Sequence, residues 1–210
     1  MNNLQSIVSH FNTKGTVNEI QPLGSGLIND TYKVTTLEAD APDYVLQRVN
    51  HAIFQNVEML QANIEAVTRH IRKKLVEQGA DDIDRKVLSF IPADTGKTYW
   101  YDGENYWRIM TFIPNAKTYE TVDAEYSYYA GVAFGNFQAM LADIPDELGE
   151  TIPDFHNMEF RLKQLRDAVA ADAVGRVKEV QYYLDEIEKR AEEMCKGERL
   201  HHEGKLPKRV

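Results

Sequence analysis

A chain of 210 residues, 43% of them hydrophobic and 27% charged, has apolar mass enough for one domain or two small ones. Its formal net charge of -9 argues against non-specific nucleic-acid binding, which needs a basic footprint, and no apolar run approaches the ~20 residues that cross a bilayer. One cysteine, Cys195, excludes an intrachain disulfide framework. The opening Met1-Asn2-Asn3-Leu4-Gln5 lacks the charged and apolar segments of a secretory signal, so a cytoplasmic protein with neither a membrane nor a nucleic-acid partner is expected.

Leu4, Ile7, Val8 and Phe11 recur at helical spacing and predict a short amphipathic helix. After Lys14-Gly15 the pattern changes. Val17, Ile20 and Leu23 lead into Gly24-Ser25-Gly26, and the β-branched and aromatic run from Ile28 to Thr36 reads as a second strand. Asp40-Ala41-Pro42-Asp43 turns the chain into a third strand, Tyr44 to Val49. Val57, Leu60, Ile64, Val67, Ile71 and Leu75 then form one stripe of a long helix, with Gly79 placed as its stop. Strands follow at 87–91 and 106–113. Between them lie a turn at 93–97 and a hairpin turn at 101–105.

Beyond Pro114 the spacing predicts helices at 123–142, 158–172 and 176–195, with Ile144-Pro145-Asp146 as loop. The first of these should bury Tyr126, Tyr129, Val132, Ala133, Phe137 and Leu141. Leu206 to Val210 reads as the start of another strand. A boundary near Asn115 then divides residues 1–115 from 116–210. The fold class is α+β: a mostly antiparallel five-stranded sheet with one long helix, followed by the helical start of a second lobe.

A glycine-rich turn between two antiparallel strands, a third strand and a long helix is the order of a protein-kinase-like amino-terminal lobe. Glycine suits such a turn because it accepts positive φ and lets backbone N–H groups approach phosphate oxygens. In that arrangement a helix carboxylate positions a third-strand basic residue against the phosphates. The helix here offers Glu58 and Glu65, of which Glu65 is mid-helix. A plain hairpin turn and a solvated helix glutamate are the competing explanations for the same residues.

Three runs, Gly24-Ser25-Gly26-Leu27-Ile28-Asn29-Asp30-Thr31-Tyr32, Tyr44-Val45-Leu46-Gln47-Arg48-Val49-Asn50 and Ile53-Phe54-Gln55-Asn56-Val57, resemble the aminoglycoside phosphotransferase superfamily, nearest its N-acetylhexosamine 1-kinase branch. Phe134-Gly135-Asn136-Phe137-Gln138 and Ile152-Pro153-Asp154-Phe155-His156-Asn157, followed by Arg161, are similar to that branch too. The likeness runs in order from about Ile7 to Val210.

The resemblance implies a nucleotide partner, ATP, with Mg²⁺ as cofactor, and an amino sugar as the small-molecule substrate. It implies that Gly24, Ser25, Gly26 and Asn29 cover the phosphates with Thr31 close behind, and that Met110, Thr111, Phe112 and Ile113 link the lobes and hold adenine through their backbone. Gln47 stands where most of the superfamily has a phosphate-contacting lysine or arginine, and Glu65 matches the helix glutamate. A neutral amide supplies no charge, so phosphate neutralisation is expected to rest more on metal ions. Arg48 should face away from Gln47 on a regular strand. Leu27 departs from a histidine expected near the sugar.

The catalytic loop of this superfamily reads His-x-Asp-x-x-x-x-Asn, and no His-x-Asp occurs in the chain. The Mg²⁺ ligands and the catalytic base are therefore expected outside it. A truncated gene product, an isolated domain or a proteolysed protein is implied, inactive in transfer as it stands. The rival class is a non-catalytic binding or assembly module that self-associates, as a homodimer for instance, through exposed helical surface. Cys195-Lys196-Gly197-Glu198-Arg199 brushes a sulfatase pattern but has Gly197 in place of proline. His156, His201 and His202 lack a carboxylate at ligand spacing, Asp81-Asp82-Ile83-Asp84 reads as solvated loop, and Tyr126, Tyr128 and Tyr129 read as core and rim rather than a sugar platform.

Overall fold

Period-two burial builds the sheet in the computed structural model, which describes residues 3–24, 26–119 and 121–206. A short helix, α1 (Asn3–Val8), precedes β1 (Val17–Pro22), β2 (Asp30–Thr36) and β3 (Tyr44–Val49). The long helix α2 (Val57–Glu77) and a single-turn helix α3 (Ile83–Lys86) follow, then β4 (Phe90–Ile91), β5 (Trp100–Tyr101) and β6 (Tyr106–Thr111). Every pairing is antiparallel, in the order β1-β2-β3-β6-β4 with β5 also on β6. The sheet has six strands rather than five because two dipeptide strands share one edge of β6. β4 pairs at Ile109 and Met110, and β5 pairs at Tyr106 and Trp107. The stretch 87–91 read as one strand supplies only Phe90–Ile91.

One face of the sheet is apolar. Val34, Tyr44, Leu46, Trp107 and Ile109 pack there against Ile7, Val8 and Phe11 from α1 and the turn after it. Fully burying a Leu or Ile of this kind stabilises by about 2 kcal/mol, so α1 is held by its side chains rather than by helix propensity, which six residues cannot supply. The buried Tyr44 hydroxyl accepts from Lys14 N at 2.8 Å and so carries no unmet polar cost.

α2 begins where Asn56 Oδ1 accepts from Met59 N at 2.9 Å, and it ends at Gly79, whose φ of 63° is the left-handed stop. Beyond the sheet, α4 (Ala124–Leu141) is capped by Asp123, which accepts from Tyr126 N at 2.9 Å. Its carboxyl end forms a second apolar cluster: Leu141 and Met140 meet Ile71, Val67 and Leu75 of α2, with Val87 and Ile83 beside them. That contact is confined to the last turn. Tyr126, Tyr129, Val132, Ala133 and Phe137 are exposed, and of the six residues predicted to be buried only Leu141 is. The loop after α4 is tied back to α2 by Asn63, which donates to Gly149 O at 2.7 Å and accepts from Gly149 N at 3.0 Å.

The chain divides into two compact units, Met1–Thr151 and Ile152–Val210. The second consists of α5 (Met158–Ala171), a 3-10 turn at Val177–Val180, α6 (Gln181–Met194) and α7 (Lys196–His202). A single helix over 176–195 was expected; the 3-10 turn takes its first residues, and a further helix follows Cys195. Arg166 joins α5 to α6 by two bonds of 2.8 Å to Glu188. The strand predicted after Leu206 lies outside the described residues. Among the described residues no helix is long and apolar enough to cross a membrane.

Candidate functional site

The turn between β1 and β2 is closed by Leu23 N donating to Thr31 O at 2.8 Å. Gly24 follows at φ 75°, a conformation that penalises any residue with a Cβ. Ser25 lies outside the described residues. Gly26 stands over the backbone of Asn29, and Leu27 is fully exposed at the tip. Asn29 Oδ1 accepts from Asn50 N at 3.0 Å, so this side chain pins the turn to the end of β3.

Register then places three side chains in one row across the face of the sheet opposite α1: Thr31 on β2, Gln47 on β3 and Arg108 on β6. Gln47 Nε2 donates to Thr31 Oγ1 at 3.0 Å. Gln47 Oε1 accepts from Arg108 Nε at 3.0 Å and from Nη2 at 2.9 Å. From there the connections pass to α2. Arg108 Nη1 donates to Gln61 Oε1 at 2.9 Å, and Gln61 Nε2 donates to Thr98 Oγ1 at 2.9 Å and to Thr98 O at 3.2 Å. Thr98 Oγ1 donates to Glu65 Oε1 at 2.5 Å. Gln47 and Glu65 therefore face the same side of the sheet and are joined by a continuous polar relay, while Arg48 lies on the other side with Asp30 and Asn105.

Arg108 is the electrostatic centre of this relay. Burial alone holds its guanidinium down to about 10, because taking a cation out of water disfavours the charged form. It pairs with no carboxylate among the described residues; its hydrogen-bond partners are two neutral amides, with the Phe90 ring centroid at 5.6 Å. A guanidinium has five N–H groups, and three are used. The charge that Gln47 does not carry thus stands beside it on the neighbouring strand. Sequence reasoning missed Arg108, Gln61 and Thr98. The one available signal was an arginine set between Trp107 and Ile109 in a central strand, since a charge facing a packed helix requires polar partners.

The other group of expected residues sits at the far end of β6. Met110 is buried, Thr111 N donates to Ser89 O at 3.0 Å, and Phe112 N donates to Asp43 O at 2.9 Å. Lys33 Nζ pairs with Asp43 at 3.0 Å and lies 4.3 Å from the centre of the Phe112 ring. The Ile113 N–H is given to no acceptor among the described residues. A cavity of about 500 Å³ opens here, lined by Thr36, Ala41, Asp43, Thr111, Phe112 and Ile113, and Thr31, Gln47 and Arg108 do not reach it. Among the described residues, the expected ones accordingly fall into a turn, a polar relay and the end of β6, all within the first unit.

The alternative chemistries fare differently. Cys195 is buried at the junction of α6 and α7. Among the described residues no three His, Cys, Asp or Glu side chains gather as a metal site. The segment read as an acidic loop contains α3, and Asp84 accepts from Arg72 Nη1 at 2.8 Å.

A model of the phosphotransferase enzyme family matches residues 19–208. Among solved structures, a spectinomycin phosphotransferase in complex with ADP and spectinomycin is similar over 90% of this chain, at 10% sequence identity and a TM-score of 0.47. The chain spans 58% of that protein's length.

Proposed function

Because this chain belongs to the phosphotransferase enzyme family, we propose that it forms the ATP-binding portion of a small-molecule kinase whose acceptor is a hydroxyl of an N-acetylhexosamine or a related sugar. The observation that carries this is the relay that brings Gln47 and Glu65 to one side of the sheet beneath a glycine turn. Gly24, Ser25 and Gly26 would lie over the phosphates, with Thr31 and Gln47 below. The linker residues Met110 to Ile113 would meet the base. With the Thr111 and Phe112 N–H groups already engaged, the Ile113 N–H is the donor left for an adenine nitrogen. Residues 1–115 act as the nucleotide lobe and 116–210 as part of the other lobe, in a cytoplasmic protein.

When bound, Mg²⁺ would neutralise charge on the triphosphate, and no ligand for it is assigned among these residues. The chain has no His-x-Asp, so it supplies no base for the acceptor hydroxyl and does not transfer phosphate alone. The test is thermal: Mg·ATP should raise the melting temperature in a saturable way, by the equivalent of about 2.7 kcal/mol at a hundredfold excess over Kd. A flat melting curve up to millimolar Mg·ATP would remove the proposal.

A second possibility is a non-catalytic module that assembles as a homodimer. The exposed Tyr128, Phe134 and Phe137 on α4 favour it, because aromatic surface of this extent promotes association. Concentration-dependent dimerisation without any nucleotide effect would support it.

A further inference from the structure

We propose that Arg108 supplies the positive charge that holds the phosphates of the nucleotide, and that Gln47 acts as its positioning residue instead of as a phosphate ligand. This rests on the nucleotide-binding assignment above and names the group that makes the site work without a lysine on β3.

Three observations converge on it. First, Arg108 is a largely buried cation with no carboxylate partner among the described residues. An uncompensated buried charge is costly, and an anionic ligand relieves that cost. Second, its unused donors are one N–H on each terminal nitrogen, the number a bidentate phosphate contact takes. Third, the residue at 47 is chemically matched to this arrangement. Gln47 accepts two bonds from Arg108 through Oε1 and gives one to Thr31 through Nε2. A lysine at 47 has donors only and could not accept from Arg108, and it would place a second cation at hydrogen-bond range. Glutamine at 47 and arginine at 108 therefore form one unit. Gln61 completes it from α2, fixing the guanidinium from a second direction.

The experiment is calorimetric titration of the whole chain with Mg·ATP and, separately, with adenosine, which has the base and no phosphate. Arg108→Gln should weaken Mg·ATP by about 10- to 100-fold while adenosine binds as before. Gln47→Lys alone should also weaken Mg·ATP, because it repels Arg108. The double exchange Gln47→Lys with Arg108→Gln, which moves the cation to the neighbouring strand, should recover most of the affinity. Circular dichroism melts of each variant identify any that fails to fold, and the double exchange then carries the decision. If wild type binds Mg·ATP and Arg108→Gln binds it equally well, the role given to Arg108 is wrong and the nucleotide site stands. If wild type binds neither Mg·ATP nor adenosine, the nucleotide site itself fails and the inference goes with it.

Discussion

Gln61, only 1% exposed, accepts from the Arg108 guanidinium at 2.9 Å and is the contact through which α2 grips the polar face of the sheet. A fully buried amide survives in a helix only when both ends are satisfied. Here the oxygen faces Arg108 and the nitrogen faces Thr98. Gln61→Leu keeps the volume but strands one N–H of Arg108 and removes the donor to the Thr98 carbonyl and hydroxyl oxygens. Denaturant unfolding should show a loss of about 1–3 kcal/mol. Gln61→Glu gives Arg108 a countercharge but replaces the donor toward Thr98 with a second acceptor facing the Thr98 carbonyl, so it too should lose about 1–3 kcal/mol. The same change should weaken Mg·ATP, because the charge is then spent internally.

The carboxylate of Asp102 organises the turn that aims β6. Burial pushes its pKa upward, but N–H donors from Asn105, Trp107 and Glu104 outweigh that and hold it below the ordinary 3.8. A depressed carboxylate contributes stability that is fully present above its unfolded value and is lost as pH falls through the lower folded value. Unfolding followed below about pH 4 should therefore be steeper in pH for wild type than for Asp102→Asn, which cannot ionise. Identical slopes would refute the linkage.

Legibility in the sequence followed period and punctuation. The alternation in Tyr44-Val45-Leu46-Gln47-Arg48-Val49 put Gln47 and Arg48 on opposite faces, and Gly79 marked the end of α2; both are seen. What could not be read was anything decided by pairing between distant strands. Arg108 meets Gln47 because β6 crosses between β3 and β4, a partnership sixty-one residues apart in the chain. Aromatic spacing on α4 likewise suggested a buried stripe, but periodicity reports which residues share a face, not what covers that face. Among the described residues, Leu141 and Met140 are the α4 side chains that join the apolar cluster with α2.

That exposed face yields its own expectation. Phe134 and Phe137 make no contribution to the apolar clusters of the first unit. Phe134→Lys with Phe137→Lys should leave the unfolding free energy within about 0.5 kcal/mol of wild type. Sedimentation velocity should show any self-association of the chain reduced by the same pair of changes. A large loss of stability would mean that these rings are packed in solution.

Gly149 sits against α2 so closely that a Cβ there would overlap the Cγ and Sδ atoms of Met59. Gly149→Ala must displace the outer atoms of the flexible, partly exposed Met59 side chain, at a cost of about 1 kcal/mol. Met59→Ala in the same chain removes the obstacle, so the double variant should lose less than the two single changes together. A double-mutant cycle by denaturant melts measures this, and strict additivity would show that the loop and α2 do not press on each other.

Asn29 offers a cleaner separation of structure from ligand contact, because its two side-chain atoms face different tasks. Oδ1 accepts from Asn50 N and fastens the glycine turn to the end of β3. On the proposed nucleotide reading, the amide nitrogen would meet a phosphate oxygen. Asn29→Ala removes both, and should cost about 1 kcal/mol and speed proteolytic cleavage within the turn. Asn29→Asp keeps the acceptor toward Asn50 but turns the other atom from a donor into a negative charge. Its melting temperature should match wild type, whereas its Mg·ATP affinity should drop by about tenfold, since two anions would then meet across the turn. If Asn29→Asp binds Mg·ATP as tightly as wild type, the turn serves as a hinge for β3 alone and its tip makes no phosphate contact through this residue.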